Sequence, residues 1–274
     1  MDDHSRLIYE GDAGPLRVVL LQRGSQLSMF FRNPQSGELD GPMSRIDLQR
    51  PFHLLAEYTQ AVLLILLWRP EPARLALLGF GGGRLALVLQ HYFPMLEILG
   101  VDVDVLFLEL AQRYFALEAQ TRLNYVVGDA RQVLETQSTV FDCVVMDAFS
   151  DARDNLNHLA TIEFYQLVRG HMRHDGVLCV NLLRADPLFV DKAYTITRSF
   201  QHTAVLGLKH SLMLFGSDGW ALKQPEAQQR AAQLQNRHGF DVPLEKHATD
   251  LKRLRDSELP ALFRRLRPMV MHDI

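Results

Sequence analysis

The chain has 274 residues, 47% of them apolar and 22% charged, which suits a globular protein with one substantial core, or a large domain with a small appendage. Its formal net charge of −3 gives no electrostatic case for nucleic acid or for an acidic membrane surface. The acidic start MDDHSRLIYEGD lacks the order of a signal peptide, and the longest strongly apolar run, residues 61–68, falls far short of the roughly 20 residues a bilayer span needs; a cytoplasmic protein is expected.

In chain order, the first third reads as β-structure. LRVVLLQRG and SQLSMFFRN flank a turn-prone Arg23-Gly24-Ser25, predicting a hairpin or small antiparallel sheet within residues 1–49, and NPQSGELDGP is loop chemistry. Dense apolar residues at helical spacing predict one buried helix over residues 50–68, ended by Pro70 and Pro72.

An alternation of strands and helices follows. RLALLGF, LEILGVDVD, LNYVVGDA, FDCVVMDAF and GVLCVNLL read as strands; GRLALVLQHYF, VLFLELAQRYFAL, RQVLET and TIEFYQLVRGHM read as helices between them. TAVLGLK and SLMLFGSDG form a closing β-pair with no room for a helix between. Repeated βα units predict an α/β fold, a parallel sheet covered on both faces, over residues 50–221. Residues 222–274 turn polar and helical and read as an extension with a solvated charged face.

The glycines Gly79, Gly81, Gly82 and Gly83 fall where the first of these strands meets its helix. Missing side chains there let a ligand approach the backbone, and the helix N-terminus offers N–H groups and a positive dipole end. The next strand ends in Asp102 and Asp104, where a carboxylate can accept from ribose hydroxyls. The third ends in Gly-Asp-Ala, putting Asp129 and Ala130 within reach of an adenine amino group, and the fourth projects Asp147 over the same crevice. Three strand ends delivering acids to one sheet edge predict a nucleoside site. GxGGG in place of GxGxxG, together with the closing hairpin, favours a sulfonium nucleoside over NAD. Cys143 and Cys179 lie in apolar strands and read as buried thiols, and the scattered histidines imply no metal.

The order LLGFGGG, GVDVD, VVGDA, FDCVVMDAF, HLATIEFYQLV, DGVLCVNLL and SLMLFGSDG, after a small β-region, resembles the spermidine/spermine synthase family of polyamine aminopropyltransferases. The closest likeness is to the spermidine-synthase-like branch whose fourth strand ends in Asp-Ala-Phe. The resemblance covers roughly residues 8 to 220. It implies a class I adenosylmethionine-type, Rossmann-like mixed sheet preceded by an N-terminal β-region that often mediates a homodimer. It also implies decarboxylated S-adenosylmethionine as co-substrate and aminopropyl transfer to a putrescine-like amine. Asp102 would hold the ribose, Asp129 the adenine amino group, and Asp147 the attacking amine as the catalytic residue. Asp151, Asp154, His158 and Glu163 follow Asp147; Asp151 and His158 are candidates for a substrate loop.

Two departures from that family keep other readings open. Gly82 stands where the synthases carry an aspartate facing the aminopropyl amine, and Arg84 replaces their last glycine. RPFHLLAEYTQA replaces the family's Glu-Phe-x-Tyr-x-Glu segment, so no polyamine role passes to Glu57 or Tyr58. Methyl transfer from ordinary S-adenosylmethionine is the second reading, and a non-catalytic nucleoside-binding or regulatory relative the third.

Overall fold

A computed structural model describes residues 5–14, 16–33, 35–117, 122–147, 156–221, 223–254 and 268–273. The N-terminal sheet is antiparallel, in the order β1-β2-β3-β4, from Arg6–Ala13 (β1), Leu16–Arg23 (β2), Gln26–Arg32 (β3) and Ser44–Asp47 (β4). β2 and β3 are the expected hairpin, with Arg23 opposite Gln26.

Residues 50–68 do not form one helix. A helix runs only over Glu57–Val62 (α1), continued by a 3-10 turn at Leu63–Leu67. The carbonyls that a longer helix would need for its own N–H groups are given away: Pro51 and His53 accept from Arg84, Leu54 from Gln60 and Leu55 from Arg45. Leu63, Leu64, Ile65, Leu66 and Leu67 are all fully buried, so their density reflects burial on every side rather than one helical face.

The main sheet has eight strands in the order β12-β10-β11-β9-β8-β5-β6-β7. Its parallel part comprises Arg74–Leu78 (β5), Glu97–Asp102 (β6), Leu123–Val127 (β7), Phe141–Met146 (β8) and Met172–Leu183 (β9). Between them lie Arg84–Tyr92 (α2), Leu106–Tyr114 (α3), Ala130–Thr136 (α4) and Ile162–Gly170 (α5). A helix the sequence pattern did not single out, Phe189–Ser199 (α6), leads to the antiparallel pair His202–Gly207 (β10) and Ser211–Ser217 (β11). The polar C-terminal region holds the helices Gln224–His238 (α7) and Leu244–Asp250 (α8). It then adds a short edge strand, Lys252–Leu254 (β12), antiparallel to β10.

The parallel strands read as continuous apolar runs because both faces are covered. On one face Leu75, Leu77, Cys143, Val145, Val177 and Cys179 join the cluster of the 3-10 turn, α2, α7 and α8. On the other, Ala76, Leu78, Val144, Met146, Leu178 and Val180 meet α4, α5 and α6. Each large apolar side chain buried this way contributes about 1.5–3 kcal/mol. The N-terminal sheet packs Val18, Leu20, Met29 and Ile46 onto Phe107, Leu110 and Phe115 at α3. Both cysteines are free, buried thiols, and burial pushes their ionisation well up. Among the described residues no helix is long and apolar enough to cross a membrane, and no cluster of side chains is arranged to hold a metal ion.

Candidate nucleoside site

The site lies at the carboxyl ends of β8, β5, β6 and β7, which stand side by side in that order. That is the edge of an open α/β sheet where ligands lie. β5 runs into the glycine turn, in which Gly79, Gly81 and Gly83 take φ of 94°, 51° and 65°. Residues with a Cβ resist that left-handed region, so the turn requires glycine on conformational grounds. Gly83 leads directly into α2, which has no side-chain cap.

Asp102, at the end of β6, reaches back to this turn. Its Oδ2 accepts from the N–H groups of Phe80 (2.8 Å) and Gly81 (3.1 Å), and its Oδ1 from Val103 N–H (2.8 Å). Burial raises the Asp102 carboxyl above its ordinary range, against those backbone N–H groups, which lower it. An ionised carboxylate offers about four acceptor positions, so about one remains beyond these three donors. Asp104 Oδ1 accepts from Leu106 N–H (2.9 Å) just ahead of α3, and its carbonyl accepts from the Tyr125 hydroxyl (2.7 Å).

Asp129 is built on the same plan one strand further out. Its Oδ1 caps α4 through the N–H groups of Arg131 (3.0 Å) and Gln132 (3.1 Å), while its Oδ2 meets His158 Nε2 at 2.7 Å. Again about one acceptor position remains. Ala130 is the buried first residue of α4. His158 sits in a 3-10 turn at Leu156–Leu159. Asp151 and Asp154 lie outside the described residues. Glu163 occupies the first turn of α5 and is bonded to His272 Nδ1 (2.7 Å).

Asp147 follows β8, its backbone N–H bonded to the Leu78 carbonyl (2.8 Å), beside the root of the glycine turn. Asn181 Nδ2 donates to its Oδ1 at 2.9 Å, and the Tyr58 hydroxyl lies within hydrogen-bond reach of the same carboxyl. That hydroxyl also reaches the Met43 carbonyl at 3.2 Å. Burial raises the Asp147 carboxyl to about 6, opposed by the bonds from Asn181 and Tyr58. Tyr58 and Asn181 were not among the residues the sequence singled out for the site. Asn181 had a signal, since it is the lone polar residue of the buried run VLCVNLL. Tyr58 had none, because the bends before α1 decide where it points.

The arrangement sets Asp147 and Asp102 at the ends of the two strands that flank β5, with the glycine turn between them. Two carboxylates in partly desolvated surroundings favour a cation there.

Comparison with known proteins bears on the fold. A family model described as a methyltransferase domain matches residues 77–176. A polyamine aminopropyltransferase of Vibrio vulnificus is 27% identical over 146 residues, 52% of this chain and 48% of its own length. The matched stretch thus spans about half of that curated relative. The crystal structure of a probable spermidine synthase from Corynebacterium glutamicum superposes with a TM-score of 0.74 at 19% identity, covering 98% of this chain and 97% of that one. A spermidine synthase in complex with the transition state analogue AdoDATO gives a TM-score of 0.67 at 19% identity, covering 94% and 88%. The chain is similar in sequence to polyamine aminopropyltransferases and shares the fold of these spermidine synthase structures.

Against that family the glycine turn departs in a definite way. A Cβ on Gly82 would lie 2.4 Å from Ser44 Oγ, 2.9 Å from Ser44 Cβ and 3.2 Å from a Phe115 ring carbon. Ser44 belongs to β4, so the N-terminal sheet itself occupies the space a side chain at position 82 would take. Arg84 turns away from the crevice. Its buried guanidinium donates to the carbonyls of Pro51 and His53, and burial brings its ionisation down to about 10. Its Nε and Nη1 find no partner among the described residues.

Proposed function

We propose that the protein transfers an alkyl group from a sulfonium nucleoside to an amine, in the manner of the polyamine aminopropyltransferases it resembles. The observation that carries this reading is Asp147: a crevice carboxyl held by Asn181 and Tyr58, raised to about 6, beside the glycine turn and Asp102. Asp102 takes the ribose and Asp129 the adenine amino group. The nucleoside then runs from β7 towards β8, and its sulfonium end comes to Asp147. The co-substrate of this reading is decarboxylated S-adenosylmethionine and the acceptor a putrescine-like diamine.

The chemistry asks little more of the protein than alignment. An amine lone pair forms a bond to the CH2 beside sulfur. The C–S bond breaks, and its electron pair leaves with sulfur as the neutral thioether 5′-methylthioadenosine. The nitrogen releases a proton to Asp147 or to water. A carboxyl raised to about 6 serves this better than one at the ordinary value near 3.9, being a stronger base that is still mostly ionised at neutral pH. Asn181 Oδ1, buried and without a partner among the described residues, is a second acceptor beside Asp147 for an ammonium group.

Position 82 favours a second reading. With Ser44 packed against it there is no acid on the glycine turn to repel a carboxylate, which suits ordinary S-adenosylmethionine and methyl transfer. Calorimetric titration with each nucleoside separates the two. Tighter binding of the decarboxylated form supports aminopropyl transfer, whereas tighter binding of S-adenosylmethionine, with S-adenosylhomocysteine as product, supports methyl transfer. A protein that binds neither would leave the crevice without the assigned ligand.

A further inference from the structure

Residues 268–273 lie far from the crevice in sequence yet are stitched to the helices beside it. Met269 N–H donates to Asp191 Oδ1 (2.8 Å) and Met271 N–H to Thr195 Oγ1 (2.9 Å), both on α6. The Met271 carbonyl accepts from Ile162 N–H (2.9 Å) at the start of α5. Asp273 N–H donates to Glu163 Oε2 (3.0 Å).

The Asp273 carboxylate is the convergence point of this segment. It takes both terminal nitrogens of Arg131, with Nη1 at 2.7 Å from Oδ1, and Oδ1 also accepts from Thr161 Oγ1 at 2.8 Å. Arg131, first of these, and then Thr161 hold the Asp273 carboxyl down to about 2. Both partners face the nucleoside side of the fold. Thr161 caps α5 through Phe164 N–H (3.2 Å) and closes the turn that carries His158. Arg131 receives its own backbone cap from Asp129 and donates Nη1 to the His158 carbonyl (3.3 Å). His158 in turn fixes Asp129 Oδ2.

We propose that Asp273 is a positioning residue for the nucleoside site: through Arg131 and Thr161 it sets the turn that holds His158 on Asp129, and so the direction of Asp129's remaining acceptor position. The inference rests on the reading of Asp129 as the adenine-side acceptor. A carboxylate turns freely about its Cβ–Cγ bond unless both oxygens are held. Here α4 holds one oxygen and His158 the other, and the His158 carbonyl accepts in turn from Arg131, the partner of Asp273. Bidentate arginine–carboxylate pairs fix geometry as well as adding energy, which is what this turn requires.

The test is titration calorimetry with 5′-methylthioadenosine and with S-adenosylmethionine, on the parent, Asp273→Ala, Asp273→Glu, His158→Ala and the double variant Asp273→Ala/His158→Ala. Melting temperatures are recorded beside each affinity, and titrations are run where every variant is folded by circular dichroism. Asp273→Ala is expected to weaken binding about fivefold, the scale of one well-made ion pair, and Asp273→Glu to restore part of it. In the His158→Ala background the Asp273 change should have almost no further effect on affinity, because its route to Asp129 is already cut. A purely structural strap predicts the opposite pattern: a lower melting temperature with the parent's affinity, or losses that simply add. Either result overturns the inference. A parent that binds neither nucleoside would instead sink the proposed function, and this inference with it.

Discussion

Asn181 on β9 donates its amide to Asp147 at the end of β8 (2.9 Å), in a pocket where burial lifts the Asp147 carboxyl to about 6. An unfolded aspartate titrates near about 3.9. Between those two values the folded protein holds more protons than the unfolded chain, so its stability must fall as pH rises from about 4 to about 6. The ionised group therefore lowers stability at pH 7 by up to about 3 kcal/mol. Asp147→Asn removes that slope. Urea denaturation should give the variant a gain over the parent at pH 7 and little difference at pH 4; parallel profiles would contradict the assignment.

The same group sets the expected pH dependence of turnover. If ionised Asp147 serves the attacking amine, the pH profile of kcat/KM bends near pH 6 and falls more steeply below it, and Asp147→Asn should lack that bend. Asp147→Asn should fold, bind nucleoside and turn over at least about a hundredfold more slowly. A variant with the parent's rate would remove Asp147 from the chemistry.

Ser44 Oγ stands 2.4 Å from the place a Cβ on Gly82 would occupy. Gly82→Ala should therefore lower stability by about 1–3 kcal/mol through overpacking. Ser44→Gly in the same chain should recover part of that loss, as read by thermal melting of the four members of the cycle. Additive losses would mean the two residues do not share the space.

Asp102 satisfies three backbone N–H groups, two of them in the glycine turn. Asp102→Ala leaves buried donors unmade and should cost about 2–4 kcal/mol of stability. Affinity for S-adenosylmethionine should fall at least about tenfold, since both the ribose acceptor and the turn are lost. An unchanged Kd would place the nucleoside elsewhere.

At the opposite end of the sheet, buried Asp142 accepts from Arg69 (2.6 Å), from Arg173 (3.1 Å) and from the N–H groups of Ala73 and Arg74. Asp142→Ala removes the anion and strands these donors, at a cost of about 3–5 kcal/mol. Nucleoside affinity should be preserved at temperatures where the variant is folded. Denaturation and titration of the same sample check both halves.

What the sequence disclosed follows from which signals are local. The βα alternation, the glycine turn and the acids at the strand ends were legible because strand patterns end where side chains change from apolar to acidic. Residues 50–56 misled because their helical spacing says nothing of Arg84, Arg45 and Gln60, which draw the carbonyls of this stretch out of a helix. α6 was missed because Thr195, Thr197 and Ser199 face inward and break the apolar pattern; each bonds its hydroxyl to a carbonyl three or four residues earlier. Tyr58 at Asp147, Ser44 at Gly82 and Asp273 at Arg131 are tertiary meetings, which periodicity does not encode. Asn181 was the exception, a lone polar residue in a buried strand.

The most direct test of the central claim is a product assay. The parent and Asp147→Asn are incubated with decarboxylated S-adenosylmethionine and putrescine, and 5′-methylthioadenosine is followed by liquid chromatography. It should accumulate with the parent, depend on the amine, and nearly vanish with Asp147→Asn. No 5′-methylthioadenosine with any diamine, or equal amounts from the two proteins, would contradict the claim.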